Sequence, residues 1–240
     1  MGSRGNALSL EGIAWLTLVV AMIAGVLVAW REGWIALPRN ALPWQTPDLT
    51  QPPGWFAHLQ MDRLAADPEA CRAVLAKAGV GYTSIPDRRT TPGCGYTDAV
   101  FLDKPLIAFN RRTPATCGMA AALTWYEHEV DAVAEQSLGR RVVRITQLGT
   151  YACRNVNAAA DRARSEHATA NAMDIAGFVL DDGRVVSVAR DFNMATPEGR
   201  FLAGAHAAAC RIFNVVLGPD FNTLHADHFH VDQGRYRICG

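Results

Sequence analysis

Charge of neither sign dominates this chain. Lys+Arg and Asp+Glu both number 23 and the formal net charge is zero, so it lacks the basic stripe that would follow a nucleic-acid backbone. Internal repeats and low-complexity tracts are missing, which sets aside solenoid and propeller arrays. Cysteine is present, but never as C-x-x-C, so the usual zinc-ribbon and thiol-redox spacings are excluded. Histidine is scarce, with 7 in 240 residues.

One absence is positive evidence. Residues 12–30, GIAWLTLVVAMIAGVLVAW, contain no charged side chain. As a helix this run spans about 28 Å, enough for the hydrocarbon core of a bilayer. A secretory signal has a shorter apolar core, roughly 7–15 residues, followed by an A-x-A-like site. No such site follows here. The run ends instead in Trp30-Arg31-Glu32-Gly33-Trp34, an interface-like flank. An uncleaved single-pass anchor is the expectation, with Arg4 and the amino terminus tilting it toward N-in.

All six cysteines, Cys71, Cys94, Cys117, Cys153, Cys210 and Cys239, follow this run. Cysteines placed after an export segment suggest three disulfides in an oxidising compartment. Pairing sequence neighbours gives Cys71–Cys94, Cys117–Cys153 and Cys210–Cys239. The organisation expected is a tail at 1–11, the anchor at 12–30, a Pro-rich linker at 31–54 and one domain at 55–240. Residues 38–54 hold five of the twelve prolines, a composition that favours an extended, semi-rigid spacer.

Within the domain, helix signals cover 62–79, 116–139 and 196–216, the last two opened by Thr116 and by Thr196-Pro197. Strand signals cover 99–102, 141–149, 172–180, 184–190 and 227–232, with Asp181-Asp182-Gly183 as a hairpin turn. The fold class is therefore α+β: an antiparallel sheet with helices packed beside it.

Two stretches concentrate the chemistry. SEHATANAMD, 165–174, and LHADHFHVD, 224–232, hold four of the seven histidines. Side chains alternate along a strand, so His228 and His230 share a face and Phe229 takes the other. Asp174 shares its face with the small Ala172 and Ala176, and His167 enters from the loop before it. If the two strands are neighbours, His167, Asp174 and His230 converge. Two imidazoles and a carboxylate suit Zn²⁺, one per chain, and leave an open position of the catalytic kind. A proton shuttle is then needed nearby, and His228, Asp227 and His225 are all available. His58, His128 and His206 sit on linker or helix positions and read as solvated or locally bonded.

The pattern S-x-H-x-x-A-x-A-x-D at 165–174 with D-H-F-H-V at 227–231 resembles the superfamily of lysostaphin-type peptidases, D-alanyl-D-alanine carboxypeptidases and Hedgehog domains. GCG at 93–95, CGMAAAL at 117–123, YACR at 151–154, SEHATANAMDIAGF at 165–178, AAACRIFNVVLGPDFNTLHADHFHVD at 207–232 and the final Cys239 resemble the bacterial extensin-like C-terminal domain family, over roughly residues 68–240. The resemblance implies a zinc peptidase fold with His167, Asp174 and His230 as ligands and His228 as catalytic partner. Superfamily carboxypeptidases place a glutamate where Asp227 stands, and a glycine where Ala170 stands. Their substrate-carboxylate arginine has a counterpart in Arg154, whose fork suits bidentate binding, and Ser165 is a second substrate-side candidate.

The function expected is a zinc peptidase acting on peptidoglycan stem peptides or cross-links, anchored in the bacterial inner membrane through 12–30 with its catalytic domain in the periplasm. The same fold also serves recognition in Hedgehog domains, so a cell-wall-binding module without chemistry is the alternative. A disulfide-stapled wall protein without metal would leave His167 and His230 as ordinary core histidines.

Overall fold

Residues 9–34 and 40–240 are described by a computed structural model. Two compact units divide the chain, at Met1–Pro38 and Arg39–Gly240. In the first, Ser9 accepts a hydrogen bond from the Gly12 amide and opens helix α1, Leu10–Arg31. No residue of α1 is buried and its mean hydropathy reaches 2.4, so it is long and apolar enough to cross a membrane. The tail read at 1–11 lies mostly outside the described residues, as do positions 35–39 of the expected linker.

The rest of that linker is no free spacer. Asn40, Asp48 and Leu49 are buried. Asn40 Nδ2 donates to the Asp48 carbonyl (3.0 Å) while its Oδ1 accepts from the Asp48 amide (2.7 Å). The Trp125 indole donates to the Gln51 carbonyl at 2.7 Å. Residues 40–54 therefore belong to the second unit, held by polar contacts that proline content does not report.

The helix expected at 62–79 is two helices, α2 (Ala57–Ala65) and α3 (Pro68–Lys77). Asp67 caps the second, accepting from the Ala70 amide, and Pro68 sits at its first turn, where a missing N–H costs nothing. Asp62, where the sequence signal began, lies inside α2, and its carboxylate accepts from Asn214 and Arg237.

Short strands follow: β1 (Gly81–Ser84), β2 (Arg88–Arg89), β3 (Gly95–Tyr96), β4 (Ala99–Lys104), β5 (Ala108–Phe109) and β6 (Ala115–Thr116). Helix α4, Cys117–Leu138, is capped by Thr116 and ends on Gly139 at φ +63°, a left-handed residue that favours glycine. Then come β7 (Val142–Gly149), β8 (Ala172–Leu180), β9 (Val185–Ser187), α5 (Val188–Asp191) and α6 (Pro197–Cys210). The helix expected to reach Val216 stops at Cys210, and the β-branched run behind it is strand β10 (Val215–Leu217). β11 (Phe229–Asp232) and β12 (Ile238–Cys239) complete the chain.

The main sheet runs β12-β10-β11-β8-β7-β5, with β9 beside β8. Its centre is antiparallel; the outer pairs β5–β7 and β10–β12 are parallel, so it is not antiparallel throughout. Met173, Ile175, Phe229 and Val231 point from β8 and β11 into one core with Met119, Leu123 and Tyr126 of α4 and Phe201, Leu202 and Ala205 of α6. Burying that face leaves the opposite face of β8 and β11 for polar side chains.

All six cysteines are paired, as Cys71–Cys117, Cys94–Cys153 and Cys210–Cys239. The third matches the neighbour-pairing expectation. The first two correct it: packing of α3 on α4 brings Cys71 to Cys117 (Cα–Cα 6.0 Å) and frees Cys94 for Cys153 (5.5 Å).

Candidate metal centre

The site is built on strand register. His230 and Asp174 are Cα partners across the β8–β11 ladder, flanked by Phe229–Ile175 and Val231–Met173 on the core side. Register therefore puts the imidazole and the carboxylate side by side on the non-core face. His167 comes from a 3-10 turn, Glu166–Thr169, whose start is fixed by Ser165: its Oγ accepts the His167 amide at 3.3 Å. Ala170 ends this turn at φ +56° and is fully buried. The left-handed backbone is why a glycine suits this position; here alanine bears it.

His167 Nε2, His230 Nδ1 and Asp174 Oδ1 lie together: 3.1 Å from His167 to Asp174, 2.9 Å from His230 to Asp174 and 3.2 Å between the imidazoles. Their outer partners assign the protons. His167 Nδ1 faces the Thr150 carbonyl at 3.2 Å and must donate to it. His230 Nε2 faces Asp232 Oδ2 at 3.0 Å and donates there. In the neutral imidazoles, the two inward nitrogens thus carry lone pairs, as does the carboxylate oxygen between them. Three acceptors facing one another need an electrophile among them. The group is a possible metal-ligand set, and outer carbonyl and carboxylate partners that fix the tautomer are what a histidine ligand requires. The donor set fits Zn²⁺.

Electrostatics point the same way. Burial pushes the Asp174 carboxyl up, but the adjoining His167 and His230 imidazoles outweigh it and hold the group far below the usual carboxylate range. Burial pulls the His230 imidazole down; the Asp174 and Asp232 carboxylates prevail and raise it to about 9. A positive charge at this point is strongly favoured: a proton on His230 supplies it where no metal does, and a metal ion would take that proton's place.

Around the cluster stand the other expected residues. His228 precedes β11, with Nε2 at 3.6 Å from Asp174 Oδ1 and Nδ1 at 2.7 Å from Asp227 Oδ1. Asp227, largely exposed, thus orients His228 rather than facing the cluster. His225 lies with its ring centroid 5.3 Å from that of His228 and 5.9 Å from that of His230. Desolvation and the neighbouring His230 and His228 lower its pKa to about 4, so it is neutral. Arg154 Nη2 comes within 3.8 Å of Asp174 Oδ2. A cavity of about 430 Å³ opens beside the cluster, lined by Arg154, Ser165, His167, His225, His230 and Asp232 among others. A second grouping, His206, Cys210 and Cys239, has both sulfurs in a disulfide, which removes the thiolates a metal would need.

Sequence reasoning missed Asp232 and the Thr150 carbonyl. Asp232 was legible: in H-F-H-V-D it sits two positions after His230, on the same strand face. The Thr150 carbonyl, a backbone group from another segment, left no trace in residue type.

No curated protein and no solved structure matches the chain. The extensin-like protein C-terminus family matches over residues 69–240, the stretch that contains every residue of the cluster, and this chain belongs to that family.

Proposed function

We propose that this chain is a zinc-dependent peptidase of the bacterial cell wall, cleaving stem peptides or cross-links of peptidoglycan. The observation that carries the reading is the convergence of three lone pairs from His167, Asp174 and His230, with both tautomers locked from outside by Thr150 and Asp232. Zinc held there supplies Lewis acidity, polarising a carbonyl oxygen and making water nucleophilic near neutral pH.

The chain's own groups do the rest. With Nδ1–H donated to Asp227, His228 presents a lone pair at Nε2 toward the cluster. It takes a proton from the attacking water and returns it to the departing amine. His225, kept neutral, offers a hydrogen bond beside it without adding positive charge. Arg154, half exposed at the cluster's edge, binds a substrate carboxylate through its fork. The apolar α1 is the inner-membrane anchor, and the three disulfides accord with a periplasmic domain.

Elemental analysis of the purified full-length protein beside His230→Ala is the first test. About one zinc per chain, lost in the variant, is the expected outcome, followed by chelator-sensitive release of peptides from peptidoglycan that His228→Ala abolishes while keeping its zinc. A metal-loaded protein that binds peptidoglycan but never cleaves it would favour the wall-binding module. No metal in either protein would sink the peptidase reading.

A further inference from the structure

The groove beside the cluster has a charge pattern that amide cleavage alone does not demand. One wall is the irregular excursion closed by the Asn155–Arg164 bridge. The other is the C-terminal run through Gly234, Arg235 and Tyr236, beside β10. Each wall carries a guanidinium without a carboxylate. Arg164 donates only to neutral acceptors, the Pro92 carbonyl (3.3 Å) and Asn155 Oδ1 (3.0 Å). Arg235 lies over the Tyr236 ring, 4.9 Å from its centroid, and donates to its hydroxyl at 2.8 Å. Among the described residues neither forms an ion pair.

The groove's acids are differently placed. Asp232 is engaged by His230 Nε2 and by the Gly234 amide (2.8 Å), and Glu166 Oε2 by Asn171 Nδ2 (2.8 Å). Three guanidiniums, Arg154, Arg164 and Arg235, thus line the groove against two carboxylates, Glu166 and Asp232, and Asp232 is already engaged. Guanidiniums lining one groove select anions by charge-assisted hydrogen bonds. Tyr236, 60% exposed, lines the same groove.

Building on the peptide-binding reading of the site, we propose that this groove selects peptides bearing at least two carboxylates. Arg154 takes the one nearest the cluster, and Arg164 and Arg235 take those further along. An uncharged or amidated peptide of the same length is a poor ligand.

The test uses the full-length zinc-loaded protein in detergent, in a His228→Ala background so that bound peptide is not turned over. Calorimetry compares the tetrapeptide Ala-γ-Glu-diaminopimelate-Ala with its fully amidated counterpart. The free acid is expected to bind about tenfold or more tightly, a preference that shrinks with added salt. Arg235→Gln, whose guanidinium bonds nothing but Tyr236, should cut that ratio several-fold. Arg235→Gln with Arg164→Gln should bring it near one, with zinc content unchanged. A wild-type-groove ratio already near one, or a ratio indifferent to Arg235→Gln, overturns the inference. Hydrolysis of both peptides by the protein with His228 intact is followed in parallel. Cleavage without carboxylate preference defeats this inference and leaves the peptidase reading standing. Preference without cleavage does the reverse.

Discussion

The floor of the site and its wall are built by opposite means. On the floor, His230 and Asp174 are register partners in a sheet, and each imidazole has an outer hydrogen-bond partner. The wall from Tyr151 to Ser165 has little regular structure, carries Asn157 and Ala158 at φ of 56° and 55°, and is largely exposed. Beside the Asn155–Arg164 bridge, a covalent bond roots it: Cys153 is joined to Cys94. Donor atoms that share one cation need placement within about half an ångström, which paired strands supply for His230 and Asp174 and the capped 3-10 turn for His167. A surface that meets a variable ligand can sit on irregular backbone, provided that its root is stapled.

If that division holds, perturbing the floor should remove metal, and perturbing the wall should not. His167→Ala deletes a donor and is expected to abolish stoichiometric zinc. Asp232→Ala keeps all three donors but frees the His230 tautomer, and should weaken zinc about 10- to 100-fold by competition with a chromogenic chelator. Undiminished affinity in Asp232→Ala would remove the outer carboxylate from the account.

Next in size is the staple. Replacing Cys94 and Cys153 together by alanine opens a loop with a sequence separation of 59, and chain entropy puts the loss at about 4 kcal/mol in denaturant unfolding. Zinc per folded chain should stay at one while peptide binding weakens. Metal lost together with the staple would show that floor and wall are one unit.

Glu127 sharpens the contrast from the far side of the core. It is buried, accepts the Leu106 and Ile107 amides at Oε2 (2.7 and 3.1 Å), and has no partner at Oε1. Desolvation outweighs those two bonds and raises its carboxyl to about 8. The folded state therefore holds a proton that the unfolded chain releases near pH 4.5. Stability falls as pH rises through this window and levels off above 8, by about 2–3 kcal/mol between pH 6 and 8. Glu127→Gln should flatten that slope in parallel denaturation series at the two pH values, without altering the His167–Asp174–His230 cluster.

The smallest effect is expected at Ala170. Glycine would relieve a left-handed backbone worth about 1–2 kcal/mol, yet it removes a buried methyl worth about 0.8 kcal/mol and adds unfolded-state freedom. Ala170→Gly should change stability by less than about 1 kcal/mol. A large loss would mean that the methyl supports the turn presenting His167.

Local chemistry made much of this readable. The alternation in AMDIAGFVL and its Asp-Asp-Gly turn marked β8, and Thr116 with Gly139 bracketed α4. Strand periodicity alone puts His228 and His230 on one face and Asp174 beside Ala172 and Ala176; that β8 and β11 are neighbours is a tertiary fact. The misreadings have distinct physical sources. Asp67-Pro68 is a cap and first-turn signal inside a periodic apolar pattern, and periodicity masked it. Phe213–Val216 continues an apolar run, but β-branching and the pull of β11 and β12 make it strand. The buried Asn40 network and the Thr150 carbonyl are tertiary, and no local pattern encodes them.

The disulfide map has a consequence for biogenesis. Loops 71–117 and 94–153 interlace, because Cys94 lies inside the first loop and its partner outside it. A segment after the anchor that emerges in chain order into an oxidising compartment exposes Cys71 and Cys94 together before Cys117. An oxidant acting alone would join that first pair and trap both partners. A strain lacking an exchange catalyst that reshuffles bridges is therefore expected to accumulate the Cys71–Cys94 species, visible by peptide mapping under non-reducing conditions.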